Sequence, residues 1–326
     1  MNDPVQPILA VRNLTVQFPL RRRPGQPRRH VHAVRGVSLD IAPGETLGLI
    51  GESGCGKSTL ARAIVRLAPI TSGEVYLAGN PWHNLPERRL RPLRPAAQMI
   101  FQDPWSSLNP RMRIGRIIEE PLIVQKRGDR DERQATVARV LEQVGLHPDD
   151  AGKYPHQFSG GQRQRIGIAR ALVLEPQLLL ADEAVSALDV SVQAQILNLL
   201  ADLRAEHRFS MLFISHDLRV VEQVSDRIAV MYLGKIVELG SPEDVLDHSR
   251  HPYTRALVEA VPEIDARGRR RVILGGEPPS PINPPRGCAF AGRCPRAQDR
   301  CHTEDAVLTG DDHQVACHYP LTEDPG

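Results

Sequence analysis

The residues best suited to chemistry are Gly51-Glu52-Ser53-Gly54-Cys55-Gly56-Lys57-Ser58-Thr59, which match the spacing G-x-x-x-x-G-K-[ST]. A loop of this type holds phosphates. Its glycines let backbone N–H groups turn inward, and the helix that follows adds partial positive charge at its N-terminus. In that scheme Lys57 reaches the β- and γ-phosphates and the Ser58 hydroxyl ligates Mg²⁺. Gly51, Ser53, Gly54, Cys55, Gly56 and Thr59 complete the cradle. The motif needs a strand before it and a helix after it. Thr46 to Ile50 reads as a short buried strand, and Leu60 to Arg66 continues with helical spacing.

A second set of candidates lies downstream. Leu178-Leu179-Leu180-Ala181-Asp182-Glu183 is an apolar strand ending in two carboxylates, with Asp182 suited to hold Mg²⁺ and Glu183 to orient and polarise water. Alone, such a pair is equally compatible with an ordinary strand end; beside a phosphate loop it reads as a Walker B element. Gln98 to Pro104 is a strand breaking into a loop, which puts the Gln102 amide within reach of a metal-bound water. Ser159-Gly160-Gly161-Gln162 opens a helix running from Ile166 to Leu174 and forms a second anion site. Ser186-Ala187-Leu188-Asp189 follows the carboxylates. The buried strand Met211 to Ser215 then delivers His216, well placed for a γ-phosphate, although a lone histidine is more often structural.

The remaining chain supplies the elements that position these groups. Ile8 to Phe18 alternates apolar and polar residues, as a half-buried strand of an antiparallel sheet does. Phe18 at its end either stacks on an adenine ring or joins the core. Arg21 to Arg29 is a basic, Pro/Gly-punctuated loop, read first as a solvated hairpin tip and second as a contact to lipid headgroups. Val34 to Ile41 is a second strand, Pro43-Gly44 a turn, and Gly73 to Gly79 a further hairpin. Ile114 to Leu146 carries helical periodicity with charged faces and reads as a helical insert.

At 326 residues the chain has length for about two domains, and its formal charge of +2 gives no ground for nucleic acid as the main partner. No apolar run approaches the ~18 residues of a membrane span, and Met1-Asn2-Asp3-Pro4 lacks a signal-peptide pattern. A cytosolic protein is expected. Its five cysteines are then reduced or metal-bound and not disulfide-bonded.

The phosphate loop, Gln102, Ser159 to Gln162, Asp182-Glu183, Ser186 to Asp189 and His216 occur in an order that resembles the nucleotide-binding subunits of ABC transporters, over Ile8 to about Leu239. His251-Pro252-Tyr253-Thr254-Arg255-Ala256-Leu257 and the cysteine-containing tail look like the dipeptide/oligopeptide importer branch, and Phe158 to Arg165 resembles the second of its two ATPase subunits. The resemblance implies an α/β P-loop ABC ATPase with a RecA-like core, an antiparallel β subdomain, a helical subdomain and a small cysteine-containing C-terminal extension. It implies a nucleotide-binding domain over 8–240, with its helical insert at about 103–175, and an extension over 241–326. Phe18 becomes the adenine-stacking position, Gln102 the Q-loop glutamine, Ser159 to Gln162 the signature, Asp189 the D-loop aspartate and His216 the switch histidine. Where many family members have Pro-Thr after the Walker B glutamate, this chain has Ala184-Val185, which implies a less rigid loop.

By the same resemblance Ser159 and Gly161 serve the nucleotide of a partner ATPase subunit, read as a different chain in a heterodimer. Two transmembrane permease subunits and a periplasmic or extracellular solute-binding protein complete the assembly, with this chain peripheral on the cytoplasmic face of the membrane. The solute class is di- or oligopeptides, glutathione or nickel. A soluble ABC ATPase acting on nucleic acid or ribosomes is the alternative, and it would carry tandem cassettes or a long coiled-coil insert. Cys288, Cys294, Cys301 and Cys317 have the spacing C-x₅-C-x₆-C-x₁₅-C, wider than the close pairs of zinc sites. That spacing suits an iron–sulfur cluster, and the importer branch has members with [4Fe–4S] at such a site. Zinc, with His302, His313 or His318 replacing a thiolate, and four unligated thiols are the other readings.

Overall fold

In a computed structural model, the structure describes residues 6–21, 28–103, 107–260 and 275–322. The chain begins with β1 (Leu9–Pro19), β2 (His30–Ile41), β3 (Thr46–Ile50), α1 (Lys57–Ile64), β4 (Ser72–Leu77), β5 (Asn80–Pro81), α2 (Glu87–Leu90) and β6 (Ala97–Ile100). It continues through α3 (Ile114–Val124), α4 (Arg130–Gln143), α5 (Gly160–Leu172), β7 (Leu178–Asp182), α6 (Val190–His207), β8 (Ser210–Ile214) and α7 (Leu218–Val224). It ends in β9 (Arg227–Tyr232), β10 (Lys235–Gly240), α8 (Pro242–Leu246), α9 (Pro252–Glu259), α10 (Asp299–Thr303) and β11 (Gln314–Val315). These elements form two compact units, one of Met1–Leu9, Asp40–Glu45 and Tyr76–Ile214, the other of Ala10–Leu39, Thr46–Val75 and Ser215–Gly326.

In the first unit β6, β7 and β8 pair in parallel, with Ala97 opposite Leu178 and Asp182 opposite Ile214. Every residue of β7 and β8 is buried. Leu178-Leu179-Leu180 has no polar alternation because a parallel strand is covered on both faces. The predicted insert divides into α3 and α4. Lys126 and Gly128, both at positive φ, make the bend, and Asp129 starts α4 with a capping box shared with Glu132. Ile114, Ile117, Ile118 and Leu122 form the buried stripe of α3, and Ile196, Leu197, Leu200 and Leu203 that of α6.

In the second unit β2, β1 and β4 are neighbours in one sheet. Leu20 N–H donates to the Arg29 carbonyl at 2.9 Å, which closes the hairpin around the basic loop; residues 22–27 of that loop lie outside the described residues. β2 starts at His30, four residues before the alternation suggests, and His32 N–H is bonded to the Pro281 carbonyl at 2.8 Å. β3 pairs in parallel with β9, Leu47 opposite Arg227 and Ile50 opposite Val230. β10 returns antiparallel through the turn Leu233-Gly234, and the tail strand β11 adds to its edge, Glu238 opposite Val315.

Apolar burial, and not length alone, holds the tail. Phe290 is 1% exposed and Tyr253 0% exposed, and with Tyr232 they form a three-ring cluster with centroids 4.6 to 5.4 Å apart. The fully buried Glu238 carboxylate accepts Arg250 N–H at 2.6 Å and His251 N–H at 3.0 Å, and faces His313 Nε2 at 2.8 Å. His251 itself caps α9 by accepting Tyr253 N–H on Nδ1 at 3.0 Å. Burial pushes the His251 pKa down from 6.5 to about 3, so the folded chain keeps the ring neutral while the unfolded chain protonates it near 6.5. The stability from this group is therefore complete above about pH 6.5 and falls toward pH 3, by on the order of 1.4 kcal/mol per pH unit. Denaturant titrations from pH 7 to pH 4 are expected to show a shallower loss of stability in His251→Asn than in the parent.

Candidate functional site

The phosphate loop joins β3 to α1 inside the second unit. β3 is wholly buried, and the chain leaves it with Gly51 at φ 150°, Gly54 at 79° and Gly56 at 114°, conformations that side chains oppose. Space forbids side chains as well. A Cβ on Gly51 would lie 2.1 Å from the Met231 carbonyl oxygen, and one on Gly56 would lie 2.2 Å from that of Ala33. Both ends of the loop are therefore held to bare backbone packed against neighbouring carbonyls, the kind of tight glycine turn that phosphate-binding loops use. Lys57 opens α1, is 4% exposed, and donates from Nζ to the Gly51 carbonyl at 2.7 Å and the Glu52 carbonyl at 3.1 Å. Ser53 and Gly54 are exposed at the loop tip, Ser58 and Thr59 are half-buried on α1, and Cys55 is buried with its thiol pKa raised by desolvation.

His216 is exposed in the same unit, one residue past Ser215, whose N–H bonds the Leu49 carbonyl of β3 at 3.4 Å. It thus sits beside the strand that feeds the phosphate loop. Phe18, near the end of β1, is half-buried. Three residues that local sequence reasoning missed also touch the loop: Gly234 donates to the Cys55 carbonyl at 2.8 Å, Tyr253 accepts Glu52 N–H at 2.9 Å on its hydroxyl, and Arg293 pairs with the Glu52 carboxylate. No pattern near residue 52 announces them, because they lie more than 170 positions away. Tyr253 and Arg293 do fall in stretches that the sequence marks, His251 to Leu257 and the cysteine-containing tail, but through a family resemblance and not a contact.

The first unit brings together Asp182, Glu183 and Gln102. Asp182 ends β7 and is 1% exposed. Glu183 holds φ 49°, a left-handed conformation costly to a non-glycine residue, fixed by its N–H bond to the Ile214 carbonyl at 3.0 Å. The Gln102 amide donates to Glu183 Oε2 at 2.7 Å, so the glutamine that follows β6 orients the carboxylate after β7. Ala184 and Val185, which stand where many family members have Pro-Thr, are each 2% exposed.

Ser159 and Asp189 are both helix N-caps. Ser159 accepts Gln162 N–H at 3.3 Å while the Gln162 side chain accepts Ser159 N–H at 3.0 Å, a complete capping box for α5. Gly160 follows, and a Cβ on Gly161 would lie 2.4 Å from Val192 of α6. Asp189 accepts Val192 N–H at 2.9 Å and the Ser191 hydroxyl at 2.9 Å, which hold its carboxyl below the usual range.

Comparison with known proteins decides the family. Residues 34–186 match the family described as ABC transporter, and residues 237–301 match the oligopeptide/dipeptide transporter C-terminal region. The oligopeptide transport ATP-binding protein AppF of Bacillus subtilis is 49% identical over 322 residues, covering 95% of this chain and 97% of AppF. The chain belongs to the ATP-binding subunits of oligopeptide/dipeptide-type ABC transporters. The di/tripeptide transport ATP-binding protein DppF of Pseudomonas aeruginosa is 45% identical over 317 residues, covering 97% of this chain and 98% of DppF. A solved dimeric ATP-binding cassette, MJ0796 bound to ADP and Pi, superposes with a TM-score of 0.64 at 30% identity, covering 72% of this chain and 98% of that one. The fold is that of an ABC ATPase cassette, and the chain is an ATPase. Among the described residues no helix is long and apolar enough to cross a membrane.

The expectation of an iron–sulfur cluster at Cys288, Cys294, Cys301 and Cys317 in this ABC ATPase is overturned, and zinc fares no better. The four thiols do line one cavity, together with His251, Phe290 and His318. Yet among the described residues no group of three or more His, Cys, Asp or Glu is arranged to hold a metal ion. The cavity is about 10 Å³, the space that one water molecule needs, and Phe290 and Ala291 form part of its wall. Burial also raises the pKa of the Cys288 and Cys294 thiols, and that of Cys317 to about 11. Spacing along the chain was compatible with a cluster; the arrangement in space is not that of a metal-holding group. The ring cluster and the pairing of β11 with β10 anchor the tail.

Gly56→Ala adds a methyl where both φ and space exclude one, so it is expected to weaken MgATP binding at least about tenfold, read by titration calorimetry, with far-UV circular dichroism unchanged.

Proposed function

We propose that this ATPase drives import of di- or oligopeptides through membrane-embedded partner subunits. The observation that carries the reading is the presence, in one chain, of a complete phosphate loop and the oligopeptide/dipeptide C-terminal region at 237–301. AppF and DppF, similar over nearly their whole lengths, are named for oligopeptide and di/tripeptide transport. The same names count against a soluble ABC ATPase uncoupled from transport. Two permease subunits and a solute-binding protein are the partners, with this chain peripheral at the cytoplasmic face and paired with a different ATPase subunit. Residues 8–240 act as the nucleotide-binding domain, with a helical insert at about 103–175, and 241–326 as its extension.

Lys57 and the inward N–H groups of the loop bind the β- and γ-phosphates, and Phe18 stacks on the adenine. Glu183, oriented by Gln102, positions and polarises the attacking water, and His216 contacts the γ-phosphate. Ser58, Gln102 and Asp182 would hold Mg²⁺, which supplies charge neutralisation at the phosphates when bound. Ser159 and Gly161 serve the nucleotide of the paired subunit, and Asp189 shapes the same interface. The MJ0796 cassette bound to ADP and Pi is a dimer, which supports this arrangement.

Glu183→Gln keeps the shape of the side chain and loses its charge, so phosphate release is expected to fall by ~10²–10⁴ while MgATP binding persists. Release at the parental rate in that variant would remove Glu183 from the assigned role. The solute class is tested separately: co-purification with the permeases and binding protein, followed by mass spectrometry of the solute retained, is expected to yield short peptides. A metal ion or a sugar in their place would overturn the peptide assignment.

A further inference from the structure

Glu52 is an acidic residue inside a loop that must bind a polyanion. A free carboxylate there would oppose the phosphates, since like charges repel most strongly where burial lowers the local dielectric. The tail meets this charge with a single side chain from the short turn Ala291–Arg293. Arg293 Nη1 donates to Glu52 Oε2 at 2.9 Å and Nη2 to Oε1 at 2.9 Å, a bidentate fork. The Arg293 side chain is only 6% exposed. Two further donors are committed, Nε to the Gly275 carbonyl at 3.1 Å and Nη1 also to the Tyr232 hydroxyl at 3.3 Å, and its guanidinium carbon lies 5.9 Å from the ring centroids of Tyr232 and Phe290. Four hydrogen bonds and two ring faces thus hold the guanidinium against Glu52.

The same tail grips the backbone of Glu52 through the Tyr253 hydroxyl. The Glu52 carbonyl in turn accepts from Lys57 Nζ. Arg293 thus holds the residue that helps to hold the phosphate-binding lysine, and it cancels the one negative charge in the loop.

We propose that Arg293 is a positioning residue for nucleotide binding, so that the C-terminal tail forms part of the ATP site by neutralising and orienting Glu52. It acts through Glu52 and touches no reacting atom. The proposal rests on the reading of residues 51–59 as the ATP-binding loop.

A double-mutant cycle on the purified full-length chain tests it, with MgATP affinity read by titration calorimetry and apo stability by thermal melting. Arg293→Met leaves the Glu52 carboxylate unpaired, and MgATP affinity is expected to fall about 10- to 100-fold. Adding Glu52→Gln to that variant removes the offending charge and is expected to restore affinity to within about threefold of the parent, although it repairs none of the lost packing. A brace with no electrostatic role gives the opposite pattern, in which the double variant binds no better than Arg293→Met; that result, or unchanged affinity in Arg293→Met, overturns the proposal. Should Arg293→Met not fold, Arg293→Lys carries the test. It keeps the charge and loses the fork, so its affinity is expected to lie above about one-tenth of the parental value and to be more sensitive to salt, and an affinity indifferent to salt and equal to the parent's would count against the role. A parent chain that binds no MgATP, while Lys57→Met is equally silent, overturns the loop reading and this proposal with it.

Discussion

The turn at residues 51–56 must pass so close to neighbouring backbone that no side-chain carbon fits at its two ends. Carbonyl oxygens of Met231 and Ala33 occupy the space that a Cβ on Gly51 or Gly56 would need. This crowding fixes the path of the loop backbone, and backbone amides at a helix start make an anion site. The parallel register of β3 with β9 places Val230 opposite Ile50 and so brings Met231 to the mouth of the loop. The turn that follows β9 sends Gly234 N–H to the Cys55 carbonyl. Elements from opposite ends of the chain thus shape nine residues that carry the chemistry.

The tail continues the same logic by electrostatics. Glu238 is wholly buried, a costly place for a carboxylate, and it is stabilised by two backbone donors and the His313 ring. Those donors fix Arg250 and His251 at the entry to α9, which sets Tyr253 against Glu52. From there Tyr232 and Phe290 lead to Arg293. The thiol cavity lies beside Phe290 and His251, where His251 Nε2 has no hydrogen-bond partner among the described residues. One water suits a cavity of that size.

In the first unit, function and local helix physics coincide. Ser159 and Asp189 sit where helices α5 and α6 must be capped, and each satisfies otherwise orphaned backbone donors. A residue type favoured for capping is therefore no separate proof of a role toward nucleotide. Glu183 differs. Its positive φ is not required by any helix or strand, and such strain is characteristic of residues whose placement matters more than their stability.

The local sequence alone determined the strand, loop and helix around Lys57, the apolar strand ending at Asp182, and the division between alternating and continuous hydrophobic segments. Those features depend on neighbours within about ten residues, and period and residue type report them directly. It also misled where a decision depended on distance in space. Four cysteines at open spacing permitted a cluster, and only their arrangement in space, where no described group of His, Cys, Asp or Glu is set to hold a metal ion, ruled it out. Arg293 carried no signal, because its partner Glu52 lies 241 positions upstream and an ion pair at that separation leaves no periodic trace. Tertiary structure alone decided which charge meets the phosphate loop, since electrostatics and sterics act through space and the order of residues records only what is adjacent along the chain.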